Sequence, residues 1–302
     1  MKLVFNYLIF PGFLFSAVVG LISGWFDRKL TARIQWRRGP VWYQNFLDLI
    51  KLFSKEIIIP TEAKFTFFIS PFVGVCASVI VATMLGRVLV NPSESFIGDL
   101  IVLVYLLVIP AIAFILGASS SGNPLASVGA SREMKLILGY ELPFILSILT
   151  IIIKTGSIKL EAILNHQIVY GSHIASFSGI VAFLVAFLCA QAKLGFVPFD
   201  ISEAEQEIMA GTLIEYSGPL LALFKLTKAI LLYIMPIFLI VLFIGKDTSL
   251  KFLFLKYIGL ITLIILLKNT NPRLKIEQAI KFFWGPVSFL AAVSVILALL
   301  GW

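Results

Sequence analysis

The 302-residue chain is 60% hydrophobic and 13% charged, with a mean hydropathy of +1.02, where a soluble domain has roughly 45–50% apolar and about 25% charged residues. Those figures exclude a water-soluble globular enzyme and point to a protein whose solvent is lipid. The net charge of +8 invites a nucleic-acid reading, but the placement of the charges removes it.

Crossing about 30 Å of hydrocarbon at a 1.5 Å rise takes about 20 mostly apolar residues. Eight segments qualify, near 3–24, 66–86, 99–118, 136–153, 174–195, 219–244, 252–267 and 284–302. They predict an all-α membrane protein of about eight transmembrane helices, a single polytopic domain over 1–302. The first apolar run is too long for a signal peptide, and GWFDRK after it is no small-residue cleavage site, so that span is expected to stay in the mature protein.

The loops after odd-numbered spans (25–65, 119–135, 193–218, 268–283) hold 15 of the 24 Lys and Arg residues. The N-terminus and the other loops hold Lys2, Arg87, Lys154, Lys159, Lys246 and Lys251. Positively charged loops resist export. The odd loops are therefore expected in the cytoplasm and both termini outside the cell membrane. Basicity here is a matter of topology, and no nucleic-acid partner is expected.

In the first span Gly20 and Gly24 form a GxxxG that could serve as a packing face. The long loop after it reads WFDRKLTARIQWRRGPVWYQNFLDLIKLFSKEIIIP, with Phe46, Leu49, Ile50 and Phe53 at i, i+3, i+4 and i+7 and Asp48, Lys51 and Lys55 on another face. That spacing predicts an amphipathic helix on the membrane surface or under a partner, bounded by Gly39-Pro40 and Pro60. Arg28, Arg33, Arg37 and Arg38 either anchor the topology, which composition favours, or dock a soluble subunit together with Trp36, Trp42 and Tyr43.

Cys76 and Cys189 sit inside apolar spans and read as small buried hydrophobes, with neither a disulfide nor a metal site expected. Residues 117–127, GASSSGNPLAS, read as a flexible polar connection. Span four places Glu141 about six residues past Lys135, or roughly 9 Å deep. A carboxylate there costs at least about 2.5 kcal/mol and marks a functional hypothesis. Pro143 frees the carbonyl of Gly139 beside it. With Pro110 and Pro236, Pro143 predicts kinked or broken helices. His166 and His173 fall in an outer loop without a ligand partner.

The segment PFDISEAEQEIMAGTLIEYSG, 198–218, concentrates Asp200, Glu203, Glu205, Glu207 and Glu215. Ser202 and Glu205 have capping-box spacing, which predicts a helix from residue 203 with Glu203 and Glu207 on one face and Glu205 opposite. A solvated polar face is the commonest fate of a charge run. The surrounding apolar residues favour crowded, desolvated carboxylates suited to a proton relay. In span six Lys225 and Lys228 lie six and nine residues past Pro219, and Lys225 is expected at the depth of Glu141. A buried polar line from the acidic segment through Glu141 and Lys225 follows, with snorkelling the plain alternative for Lys225. No nucleophile with a base nearby and no phosphate-binding glycine loop is present, so no catalytic residue is expected.

FDRKLTARIQWRRGP, DLIKLFSKEIIIP, GYELPF and the acidic segment, in this order, resemble the NADH-quinone oxidoreductase membrane subunit 1 family of respiratory complex I and its homologues in energy-converting hydrogenases. The direct run from Gly39-Pro40 into the amphipathic helix, without an Asn- and Gly-rich stretch, is closer to the group 4 membrane-bound [NiFe] hydrogenases and related ferredoxin-oxidising complexes. The resemblance implies a non-catalytic membrane subunit with no cofactor of its own, docking hydrogenase-like large and small subunits that carry Fe–S clusters and a [NiFe] centre, beside antiporter-like membrane subunits. It implies ferredoxin-driven H+ or Na+ translocation. Arg28, Arg33, Arg37 and Arg38 would contact the redox arm, the five acidic residues would sense it, and Glu141 would begin the buried path. Competing readings are a quinone-site and proton-coupling subunit of NADH-quinone oxidoreductase, a membrane anchor of a sulfur-reducing relative, a plain anchor without an ion role, and, last, a self-sufficient antiporter.

Overall fold

The computed structural model describes residues 2–247 and 249–301, without the side chains of Lys2, Leu3, Glu205 and Gln206. Among them there are only helices and connecting turns. The chain is an all-α, multi-pass membrane protein. Seven helical stretches are long and apolar enough to cross a bilayer, and an eighth, Phe177–Lys193, is shorter at 17 residues.

In chain order the helices are α1 (Lys2–Leu8), α2 (Phe13–Ile34), α3 (Gln44–Phe53), α4 (Phe65–Val90), α5 (Asp99–Ser119), α6 (Pro124–Thr155), α7 (Leu160–Tyr170), α8 (Phe177–Lys193), α9 (Glu205–Ile208), α10 (Gly218–Phe243), α11 (Leu250–Thr270), α12 (Ile276–Phe282) and α13 (Ser288–Leu299). α10 is apolar all round, and 89% of its most apolar stretch is buried, as befits a helix ringed by others. It packs on α2, α3, α4, α7, α8 and α11, while α6, α8 and α13 form a second group that α5 joins to α4.

Gly20 explains the closeness of α2 and α10: a Cβ there would collide with the backbone oxygen of Ala229. Gly24 faces the Asn45 side chain of α3 instead, so the two glycines of the GxxxG meet different helices. Within α3, Leu49 is buried and Phe46 and Leu52 pack against the core. Ile50 (64% exposed) and Phe53 (47%) lie outside, so the apolar stripe read from sequence divides between the protein and the membrane side.

α6 begins at Pro124, with Asn123 accepting a hydrogen bond from the Leu125 amide at 2.8 Å. The expected flexible connection 117–127 is therefore reduced to a tight capped turn at 120–123 between α5 and α6, and most of the expected loop 119–135 is helix. Pro71, Pro110, Pro143 and Pro236 sit inside helices that continue through them. The break in regularity comes at Pro286, which lacks the amide a regular α-turn needs: Phe283–Val287 is a π-turn between α12 and α13. Cys189 is buried, but Cys76 is exposed on the outward face of α4, contrary to the buried place expected for it.

Away from the acidic segment, Gln167 of α7 closes the end of α10. Its amide donates to the carbonyls of Val241 and Leu242 at 2.8 and 3.1 Å and accepts from the Gly245 amide, satisfying groups that a helix end leaves unpaired.

Candidate functional site

Where α5, α6, α8 and α10 converge, a cavity of about 30 Å³ is lined by Glu133, Tyr140, Lys193, Ser202, Glu203, Thr212 and Lys228, with Phe114 and Met235 among its apolar walls. That volume has room for water, and its lining supplies the polar partners a buried water needs. Glu133 comes from α6, which projects far enough to carry it only because the helix starts at Pro124. Ser202 faces it in the cavity lining.

Lys193 Nζ pairs with Glu141 Oε2 at 2.6 Å, with only 4% of the lysine side chain and 19% of the glutamate exposed. The ammonium also lies 4.9 Å from the Tyr140 ring centre and 4.7 Å from that of Phe144, so ring quadrupoles replace part of its lost hydration. Across the cavity Lys228 of α10 pairs with Glu203 and stands 5.5 Å from the Phe114 ring. Two ion pairs and a carboxylate, Glu133, thus face one small polar space.

Two further pairs hold the acidic segment from outside the cavity. Arg273 Nη2 meets Asp200 Oδ2 at 2.8 Å, and Arg132 Nη1 meets Glu207 Oε2 at 2.6 Å. Both line a cleft of about 380 Å³ between the segment and residues 273–277. Asp200 Oδ1 is buried without a hydrogen-bond partner. Burial raises the Asp200 pKa, and the Arg273 charge opposes that rise in part.

The segment is not the helix its capping-box spacing predicts. Ser202 and Glu203 lie in a 3₁₀ turn, Ile201–Glu203, and α9 is a single turn with Ala204 at its cap and no side-chain capping bond. Ser202 instead lines the cavity with Glu133. After α9, Met209 (φ 49°) and Ala210 (φ 76°) adopt the left-handed region, which costs a side-chain-bearing residue roughly 1–2 kcal/mol. Gly211 follows at φ 49°, and a Cβ there would strike the Ser202 carbonyl oxygen.

The predicted residues therefore separate. Glu203 and Lys228 line the cavity, and Glu141 reaches it through Lys193. Asp200 and Glu207 stand at the cleft, whereas Glu215 accepts a hydrogen bond from Asn123 at the start of α6. The side chain of Glu205 lies outside the described residues. Lys225 is exposed and does not partner Glu141, whose partner is Lys193; it shares a face with Lys228 but lies a turn nearer the start of α10. Arg28, Arg33, Arg37 and Arg38 are all exposed, and Arg28 meets Asp48 of α3 at 3.1 Å. Trp36 (98% exposed) and Trp42 (62%) stand beside them.

Sequence reasoning missed Glu133 and the Lys193–Glu141 pair. The signal for Glu133 was its spacing: it lies eight residues before Glu141, close to two helical turns and on nearly the same face. Among the described residues no group of three or more His, Cys, Asp or Glu side chains could hold a metal. His166 and His173 stack on each other at 5.1 Å between ring centres.

The family model described as NADH dehydrogenase matches residues 6–299. Hydrogenase-4 component C of Escherichia coli strain K12 is 36% identical over 66% of this chain, and the chain spans 62% of that protein's length. The H subunit of NADH-quinone oxidoreductase from Brevibacillus brevis is 29% identical over 96% of this chain and 91% of its own. Its counterpart in Geobacillus sp. strain WCH70 is 30% identical over 89% and 85%. Among solved structures, a chain of an archaeal respiratory membrane complex, the membrane-bound sulfane sulfur reductase, superposes with a TM-score of 0.89 at 28% identity, covering 99% of this chain and 100% of that one. The chain belongs to the NADH dehydrogenase family and is a membrane-embedded subunit of a respiratory-type oxidoreductase complex related to complex I and the membrane-bound hydrogenases.

Proposed function

We propose that this subunit docks a peripheral redox arm and couples its electron transfer to H+ or Na+ movement. In this reading the whole chain acts as one membrane domain, with both termini outside and the face bearing Arg28, Arg33, Arg37, Arg38, Trp36 and Trp42 in the cytoplasm. Exposed Arg and Trp side chains suit the core of a protein interface. The arm's own subunits carry the Fe–S clusters, and other membrane-arm subunits adjoin this one.

One observation carries the reading: the Glu141–Lys193 and Glu203–Lys228 pairs meet Glu133 across a cavity with room for water. A proton gained or lost there repartitions the two lysines among three carboxylates, and it does so at the acidic segment, because Ser202 and Glu203 belong to both. Likenesses that run the length of the chain are to the H subunits of NADH-quinone oxidoreductases and to the sulfane sulfur reductase. The hydrogenase component aligns over 66% of it. A coupling subunit of a quinone- or sulfur-reducing complex is therefore better supported than the hydrogenase branch that the short first loop suggested.

The test is ion uptake and electron transfer in vesicles holding the whole complex, comparing wild type with Glu141→Gln. Loss of uptake with electron transfer retained is the expected result. Normal values for both would reduce the subunit to an anchor.

A further inference from the structure

The last turn of α11 and the residues just after it carry Lys268, Asn269 and Arg273, and their contacts go to two regions far apart in the sequence. Lys268 Nζ pairs with Asp27 Oδ2 of α2 at 2.7 Å, and Asn269 Nδ2 donates to Thr31 Oγ1 at 3.1 Å. The same ammonium lies 4.7 Å from the Phe196 ring centre. Next, the Leu274 amide donates to the Pro198 carbonyl at 3.1 Å and Arg273 pairs with Asp200 at 2.8 Å. One short stretch thus grips the stem of the arginine-rich loop and the head of the acidic segment. Among the described residues no ion pair joins those two regions directly.

We infer that Lys268 and Arg273 are positioning residues of a strap that makes the docking loop and the acidic segment move together. This rests on the coupling function proposed above.

Both carboxylates at the strap's ends are largely withdrawn from water, with 9% of the Asp27 side chain and 14% of the Asp200 side chain exposed. A carboxylate so placed follows its cation, because separation would leave a desolvated charge unpaired. At Asp200 the dependence is greater, since among the described residues Oδ1 has no hydrogen-bond partner and Oδ2 is paired with Arg273. Asp27 immediately precedes Arg28, which is itself braced on α3 through Asp48. Pressure from a docked arm on α3 or the arginines therefore reaches Asp200, and through the 3₁₀ turn reaches Ser202 and Glu203, by contiguous contacts.

The test uses the whole complex in vesicles and reads ions moved per electron. Lys268→Gln and Arg273→Gln are each expected to assemble and to pass electrons at close to the wild-type rate, with the ion-to-electron ratio down about fivefold or more, the lower end of ordinary site-to-site coupling. Exchanging the charges, Asp200→Arg with Arg273→Asp, is expected to restore most of the ratio. An unchanged ratio in both single variants overturns the strap. If Arg273→Gln fails to assemble, Arg273→Lys decides: an intermediate ratio supports the strap and a wild-type ratio overturns it. A wild-type complex that moves no ions would instead defeat the coupling function itself.

Discussion

The two ends of the helical bundle are closed by different chemistry. At the end holding the acidic segment, six ion pairs among the described residues join separate elements: Arg28–Asp48, Arg132–Glu207, Lys193–Glu141, Lys228–Glu203, Lys268–Asp27 and Arg273–Asp200. At the other end the ion pairs are local, Arg87–Glu94 and Lys159–Glu161, seven and two residues apart. Long-range closure there uses Gln167 on the end of α10 and Asp99 Oδ1 accepting from the Leu160 amide at 3.0 Å. Backbone-directed bonds of this kind hold one geometry. Pairs of mobile charges can be re-formed by one proton or one docked side chain, so the first end is the one suited to report docking.

Removing Lys193 should test that contrast hardest. Lys193→Met strands the Glu141 carboxylate between α6 and α8 and is expected to cost about 3–5 kcal/mol, read as a lower melting temperature of the purified complex in detergent. A shift no larger than that of a surface variant would show that water already reaches the pair.

The opposite end has its own titratable feature, and acid should weaken it. Burial, followed by the neighbouring charges of His166 and Lys154, lowers the His173 pKa from 6.5 to about 4. The folded chain therefore keeps His173 neutral while the unfolded chain binds a proton, and stability falls as pH drops from about 6.5 towards 4. At about 1.4 kcal/mol per pH unit the loss amounts to about 3 kcal/mol. Melting followed across that window should flatten in His173→Gln; an unaltered slope would place the titration elsewhere.

Arg87→Ala should give the smallest effect, below about 1 kcal/mol, because its pair with Glu94 is local and partly solvated. A larger drop in melting temperature would erase the distinction between the two ends.

Helix type and the apolar core were legible because lipid imposes length and hydropathy on every span. Lys228 was legible for a related reason: a lysine nine residues past Pro219 in an apolar helix needs a partner. Its neighbour Lys225 misled, since residue depth says nothing about the direction a side chain takes around the helix axis. The acidic segment misled differently. Its capping-box spacing is a local preference, and it gives way to a 3₁₀ turn that sets Ser202 and Glu203 in the cavity wall opposite Glu133. Glu133 itself was hidden because residues 119–135 look like a loop until Pro124 and Asn123 are seen to start a helix there.

The burial of α10 bears on how the protein is made. Helices enter the membrane in chain order, and the close seat of Gly20 of α2 is on Ala229 of α10, more than two hundred residues later. Until α10 has been synthesised, α2 and α4 lack the surface they finally cover, and their faces wait against lipid or a helper protein. A truncated chain ending before residue 218 would keep most of its spans and none of the axis they assemble around, so quality control should recognise and degrade it as an orphan.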